Sequence, residues 1–458
     1  MSGAPIDRGD TGYPSAAYAW YVAFLLFLAN NFAFIDRIVV AILTPALQAD
    51  LGLSDTQAGL IQGLSFALFY AFFGLPMGWM ADRGNRKWLL AAGIAAWSLL
   101  TALCGMTKTF GGLFLARVGV GIGEASLTPC ATSLIGDYFP PRSRARAFGL
   151  FIMGSTFGAG ITYAVGGALL EWLNGRGGLT LPLVGDLKPW QAMFVLVGLP
   201  GIAVSLLFLL TVREPPRREV SNDGKGASMA EIRAFARQNR ATLICMYLGI
   251  ALMAMTGFVF VNWLPTLFLR SYGWSTSQFS YAYGPLVFVA GIIGSSTAGG
   301  LANWLKSRQM ADGTLRGCLI GCTGASLLAI AGPLMPAAEA ALACYVLANL
   351  LATYMGVLAF TAISEVVPNE MRGVMTAVYY MMINLLAAGL APVAVGMVTD
   401  FVFGDPQALA KSLVVVTLAT AIPGTLLLTF GLRFYRESLS RAVWAKPSVA
   451  NFKELTGD

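Results

Sequence analysis

Twelve apolar stretches punctuate this chain, and each is long enough to cross roughly 30 Å of hydrocarbon as a helix. They lie near residues 18–44, 55–80, 88–107, 110–134, 145–172, 190–212, 241–269, 277–304, 317–335, 339–364, 371–400 and 412–434. In water so many runs could not be buried: 57% of the residues are hydrophobic and 12% are charged, where a soluble domain has about 25% charged. The pattern predicts an all-α polytopic membrane protein. The 52 glycines fit closely packed membrane helices, because small residues let backbones approach.

Orientation follows from Lys and Arg placement. With both termini inside, 23 of the 30 basic residues fall in cytoplasmic segments. Five fall in outer loops (Lys108, Arg176, Lys188, Arg270, Lys411), and Arg37 and Arg117 sit inside spans. The asymmetry predicts cytoplasmic N- and C-termini. It also accounts for the net charge of +7 without a nucleic-acid partner. Residues 1–17 are polar, and the first apolar run is too long and carries charge, so no cleavable signal peptide is expected. Lack of organelle targeting and a short tail point to a bacterial inner membrane.

The segment from Arg213 to Arg240 reads as a cytoplasmic linker between an N-terminal six-helix bundle, 1–212, and a C-terminal one with its tail, 241–458. A repeat supports the division. Asp137, Pro140 and Arg144 after span four recur as Glu365, Pro368 and Arg372 after span ten, each pair 228 residues apart. GWMADR after span two is echoed by GGLANW after span eight. In duplicated bundles of this kind the substrate site lies near the midplane between the halves.

Four charged residues lie well inside spans: Asp36, Arg37, Arg117 and Glu124. Each costs roughly 2.5–3.5 kcal/mol at a helix centre on insertion scales, so a decorative role is disfavoured. Adjacent helical residues point about 100° apart, so Asp36 and Arg37 need partners elsewhere. With span one centred near residue 32 and span four near 122, a rise of ~1.5 Å per residue puts Asp36 and Arg117 at a shared depth. They are expected to pair. Glu124 falls near the midplane with no cation level with it, and a lone carboxylate in low dielectric is costly to keep ionised. Glu124 is therefore the first candidate proton carrier and Asp36 the second, with Arg37 left to bind an anionic headgroup. The chain has no histidine, so carboxylates would have to carry any coupled protons.

Spans seven to twelve carry no charge in their interiors, only scattered polar groups such as Asn262, Tyr354 and Asn384, which join Arg37 and Arg117 as candidate substrate contacts. One charged wall facing one greasy wall suits an amphiphilic anion, since a sugar or dicarboxylate wants polar partners on both sides. The six cysteines lie in apolar runs and are expected as small buried hydrophobes, neither metal ligands nor disulfides. With no histidine, no nucleophile arrangement and no metal cluster, the chain is not expected to be an enzyme.

Gly78-Trp79-Met80-Ala81-Asp82-Arg83-Gly84-Asn85-Arg86-Lys87 resembles the signature loop between helices two and three of the major facilitator superfamily. It departs at Asn85, where the family has Gly; Asn tolerates a left-handed backbone, so the turn should survive. Gly78 is expected to permit a close helix contact. Arg117 to Ala125, RVGVGIGEA, resembles the fourth-helix motif. With the Asp36-Arg37 pair and Ser65 to Tyr70, SFALFY, it is most similar to the spinster branch, though organic-anion symporters carry comparable motifs. Gly154, Gly158, Gly160, Gly166 and Gly167 loosely resemble an antiporter motif without its proline and are expected as close-packing positions.

The resemblance implies a major facilitator fold and alternating access, with movement of lysophospholipids or sphingosine phosphates, in several relatives with protons. The expectation is a proton-linked carrier of lysophospholipids or related amphiphilic anions. The alternatives are a proton- or sodium-coupled symporter of small, hexuronate-like anions, and a non-coupled facilitator or transporter-like receptor. Asp82, Arg83, Arg86, Asp137, Arg144, Arg146, Glu365 and Arg372 are expected to gate through charge contacts of the loops. A monomer surrounded by membrane lipids is expected, with no cofactor or metal and protons as the coupling ion.

Overall fold

In a computed structural model of the chain, residues 13–182, 185–217 and 228–442 are described. The tail after residue 442 and linker residues 218–227 lie outside them. Among the described residues, twelve helices are long and apolar enough to cross a membrane. The first six are Ala16–Leu51, Asp55–Arg83, Arg86–Cys104, Phe110–Tyr138, Pro141–Arg176 and Pro189–Thr211. The second six are Arg240–Tyr272, Thr276–Ser307, Gly313–Leu334, Ala338–Val366, Glu370–Phe403 and Pro406–Arg441.

Local chemistry sets their ends. Ser54 and Gln57 form a capping box at the start of span two, Ser54 Oγ accepting from the Gln57 N–H at 3.2 Å and Gln57 Oε1 from the Ser54 N–H at 3.0 Å. Proline opens spans five and six at the first helical position, where its missing N–H costs nothing. Between these two spans a short antiparallel hairpin pairs Leu179–Leu181 with Gly185–Leu187. The linker also holds a helix, Met229–Gln238. Its Ser228–Glu231 capping box has both the backbone N–H and the hydroxyl of Ser228 donating to Glu231, which hold that carboxyl below its usual range.

Among the described residues, three spans depart from regular α geometry in their interiors. Span two has a π-helical turn at Leu60–Leu64, and span eleven has two, at Ile383–Leu390 and Val398–Phe403. Span four is broken outright: one helix ends at Glu124 and the next begins at Leu127. Pro129 explains the break, because it has no N–H to give the carbonyl four residues back.

The chain forms two compact units. The first comprises Met1–Arg37, Phe69–Ile161 and Leu173–Asn222. Within it Trp97 is fully buried, and Gly154 and Gly158 of span five lie against the backbone of span one, their ideal Cβ positions 2.6 Å from the Phe27 and Asn31 carbonyl oxygens. Those two glycines are close-packing positions, as expected. Gly78 is not, since nothing lies within 4 Å of its Cβ direction.

The second unit comprises Ile38–Leu68, Thr162–Trp172 and Asp223–Asp458, so the later parts of spans one and five and the start of span two pack with the last six spans. Met246, Tyr247, Ile250, Cys318, Leu358 and Tyr435 are among its buried core residues. Gly59 brings span two against span eleven, with its ideal Cβ 2.5 Å from the Pro392 carbonyl oxygen. All six cysteines are free thiols.

Candidate functional site

The break in span four places Glu124 at a helix end inside the first unit. There the carboxylate meets Arg37 from span one: Nε and Nη2 both donate to Glu124 Oε2, at 2.9 and 2.7 Å. The Glu124 side chain is fully buried and that of Arg37 is 26% exposed. The guanidinium also stands over the rings of Phe34 and Tyr70, 5.0 Å from each centroid, a cation–π arrangement. Glu124 Oε1 is buried and has no hydrogen-bond partner.

Beside this pair lies a second one. Arg117 Nη1 donates to the backbone carbonyl of Asp36 at 3.3 Å. Asp36 Oδ2 accepts from the Thr101 hydroxyl at 3.1 Å, whereas Oδ1 is buried without a partner. Both residues are buried. Span one, the broken span four and Thr101 of span three thus hold two acids and two bases together, all buried except Arg37. Each acid has one bonded oxygen and one open one.

Two expectations about this cluster are corrected. Glu124 does have a cation level with it, and Arg37 does not stand apart from the acids, because these two are partners. The depth estimate failed through the span centres: span one runs to Leu51 and span four to Tyr138. The recentred positions of Arg37 and Glu124 differ by only about 5 Å along the axis at ~1.5 Å per residue, within reach of an arginine side chain. The expected neighbourhood of Arg117 and Asp36 is present, made through the Asp36 backbone carbonyl.

The loop residues divide. Arg86 is fully buried and bonds Asp137, Glu214 Oε1 (2.6 Å), Ser133 Oγ (2.8 Å) and the Pro215 carbonyl (3.0 Å). Glu214 also accepts the Lys87 backbone N–H at 2.9 Å. Sequence reasoning missed Glu214 by assigning it to a linker. Arg144 Nε donates to the Phe139 carbonyl at 2.9 Å and Arg372 Nη2 to the Ser364 carbonyl at 3.0 Å, so each caps the helix before it, as related repeat positions should. Glu365 accepts from Lys306 (2.7 Å), Thr314 (2.8 Å) and the Tyr435 hydroxyl (2.5 Å). Arg83 stacks on Trp79 at 4.6 Å. Asp82 and Arg146 are exposed, and Asp82 has no hydrogen-bond or ion-pair partner among the described residues. Asn85 is not left-handed: its φ is −84°, and its side chain caps span three by accepting the Trp88 N–H at 3.0 Å.

In the second unit, Asn262 is buried and its side-chain amide donates to its own helix at the Phe258 carbonyl, while its backbone carbonyl accepts from Gln62 at 3.3 Å. Tyr354 bonds Thr297 at 3.0 Å, and Asn384 donates to Tyr380 at 2.9 Å within the first π-helical turn of span eleven. A charged group there was also missed. Arg270 donates to both Asp55 oxygens, each at 2.8 Å, and to Gln48 at 3.0 Å, while Asp400 accepts the Asp55 and Thr56 N–H groups at 3.2 and 2.7 Å. It borders a hollow of about 440 Å³. The capping box around Asp55 was its one sequence signal.

A twelve-span bundle that keeps ion pairs inside its helices is the construction of a membrane carrier. The Major Facilitator Superfamily pattern matches residues 26–392, and the chain belongs to that family. A crystal structure of a bacterial homologue of the human lysosomal transporter spinster, inward-facing and unoccupied, superposes with a TM-score of 0.76 at 28% identity, covering 95% of this chain and all of that one. An MFS-type efflux pump of Mycolicibacterium smegmatis is 27% identical over 446 residues, 95% of this chain and 98% of that protein. Protein spinster homolog 1 of Homo sapiens is 33% identical over 270 residues, 57% of this chain and 48% of that protein. These relatives are transporters, and so is this chain.

Proposed function

We propose that the chain is a proton-linked secondary carrier of lysophospholipids or related amphiphilic anions. One observation carries the reading: an arginine about a quarter exposed is held by a fully buried glutamate whose second oxygen is open. A proton arriving on Glu124 Oε1 neutralises the carboxyl and cancels the attraction that holds Arg37. The guanidinium, already 26% exposed, is then free to take an anionic headgroup. Loss of the proton restores the ion pair and competes the headgroup away. Asp36, with its own open oxygen, is the second proton site, and Arg117 anchors the backbone that carries it.

The spinster resemblance implies a lipid-like substrate, and the contrast between the charge cluster of spans one and four and the uncharged interiors of the later spans supports it. In this reading both termini are cytoplasmic, the membrane is a bacterial inner membrane, and a monomer suffices. Alternating access would require the Arg270–Asp55–Asp400 group and the Arg86–Asp137–Glu214 group to loosen at different stages.

The test is transport into proteoliposomes of a labelled lysophospholipid and, separately, a labelled hexuronate, with and without a pH gradient and against empty liposomes. Gradient-driven lysolipid movement that becomes pH-independent in Glu124→Gln is the expected result. Movement of the hexuronate alone would assign the Arg37 site to small organic anions. Normal flux with an intact pH response in Glu124→Gln would remove Glu124 from the mechanism.

A further inference from the structure

The helix Met229–Gln238, in the connection before span seven, has two unlike faces. Ile232, Phe235 and Ala236 share one of them, at the three- and four-residue spacing of a single helical stripe. Phe235 and Ala236 pack against the buried core of the second unit. Asn239 fixes the end of the helix: its amide donates to the Phe235 carbonyl at 3.1 Å, and its Oδ1 accepts from the Ser438 hydroxyl at 2.8 Å. That hydroxyl also lies 2.8 Å from the Thr242 hydroxyl of span seven, so the helix is tied to the ends of spans seven and twelve.

The other face carries Met229, Arg233 and Arg237, each four residues from the next. Met229 is 65% exposed, and both arginines are exposed. Arg240, also exposed, opens span seven. Three residues separate it from Arg237, at most ~11 Å of chain, so the stripe ends beside the point where the chain enters hydrocarbon. Arginines at the end of span twelve have acids for partners, Arg433 with Glu437 and Arg436 with Asp312, each at 3.5 Å. Arg233, Arg237 and Arg240 have none among the described residues.

We propose that this face docks on anionic phospholipid headgroups of the bilayer around span seven. A basic stripe beside an exposed apolar side chain has the composition of an interfacial helix, and each arginine near an anionic surface adds about fivefold to the attraction. The chain itself does not supply the complement: segments 218–227 and 443–458 each carry two acidic and two basic residues. The docking is independent of the substrate and of the proton mechanism proposed above.

The experiment is hydrogen exchange of the full chain, followed on residues 229–238, in phosphatidylcholine nanodiscs with and without phosphatidylglycerol. Phosphatidylglycerol should slow exchange at least threefold, and ~1 M salt, which shortens the screening length to about 3 Å, should remove the difference. Changing Arg233, Arg237 and Arg240 together to Gln should abolish the protection while leaving exchange in pure phosphatidylcholine within twofold. The same three positions changed to Lys should keep it, since a surface potential needs only the charge. Equal exchange in the two bilayers, or protection that survives the Gln substitutions, overturns the proposal. Protection present without phosphatidylglycerol and released by deleting 443–458 makes the tail the occupant, and protection given equally by soluble glycerol 3-phosphate makes this a free-anion site; both overturn it as well.

Discussion

The Arg37–Glu124 pair makes an asymmetric prediction about stability. Two N–H groups of Arg37 converge on one Glu124 oxygen at 2.9 and 2.7 Å, and Glu124 is fully buried while Arg37 is 26% exposed. Unit charges about 4 Å apart at an effective dielectric near 20 attract by about 4 kcal/mol. That agrees with the ~3–5 kcal/mol lost when one member of a buried pair is removed and the other charge stays behind.

Arg37→Met strands a fully buried carboxylate, so its cost should fall in that ~3–5 kcal/mol range. Glu124→Gln strands a guanidinium that keeps two aromatic faces, each cation–π contact worth about 0.5–2 kcal/mol, and can still donate to the new amide oxygen. Its cost should be about 1–2 kcal/mol, in keeping with the loss of a charged hydrogen bond. Combining Arg37→Met with Glu124→Met removes both charges, and the pair should cost less than Arg37→Met alone, because apolar replacement of a whole buried pair is often near neutral. The assay is equilibrium unfolding of the purified protein in mixed micelles, read by tryptophan fluorescence. Additivity of the two single costs within about 0.5 kcal/mol would refute the coupling, and a larger loss for Glu124→Gln than for Arg37→Met would refute the asymmetry.

The remaining predictions test the other groups. Arg86→Ala leaves Asp137 and Glu214 without their shared cation and should cost about 3–5 kcal/mol; Arg86→Lys should recover only part of it, since one ammonium cannot span that set of acceptors, and thermal unfolding in detergent reads both. Gly59→Ala drives a Cβ to 2.5 Å from a backbone oxygen of Pro392 and should lose about 1–3 kcal/mol by overpacking, while Gly78→Ala, with open space around it, should be neutral or slightly stabilising in the same assay. Arg270→Gln removes the cation on the buried Asp55, and it should raise the rate at which a thiol introduced as Ser54→Cys reacts with a polar reagent. An unchanged rate would mean that the ion pair does not hold the start of span two.

The twelve spans were legible because hydrocarbon thickness imposes a length and an apolarity that the sequence displays openly. The residues of the charge cluster were legible for the same reason: charge inside a span is expensive, so Asp36, Arg37, Arg117 and Glu124 stood out. Their pairing was not. It depends on where each span is centred, to within one or two turns, and apolar windows stop short of helices that run on through polar ends. It also depends on the interruption after Glu124, which Pro129 announces but a hydropathy window averages away. Glu214 and Arg270 were hidden by their addresses, a linker and a loop, although both complete buried charge groups with Arg86 and Asp55.

The incomplete bonding of the two acids is the strongest support for the proposal that the cluster changes state during transport. A network built only to fasten spans one, three and four together would use every oxygen it buries, since each buried polar group left unpaired costs about 1–3 kcal/mol. Here Asp36 Oδ1 and Glu124 Oε1 are both buried and both open. Both bases are engaged, Arg37 with the Glu124 carboxylate and Arg117 with the Asp36 backbone carbonyl. What the cluster lacks is donors facing those two oxygens, and a proton is the smallest donor that can be delivered and withdrawn without moving a helix. One proton on Glu124 changes the net charge of the cluster from zero to plus one, and an anion at Arg37 returns it to zero. In low dielectric each of those two occupancies makes the other cheaper, which is the coupling a proton-linked carrier of anions requires.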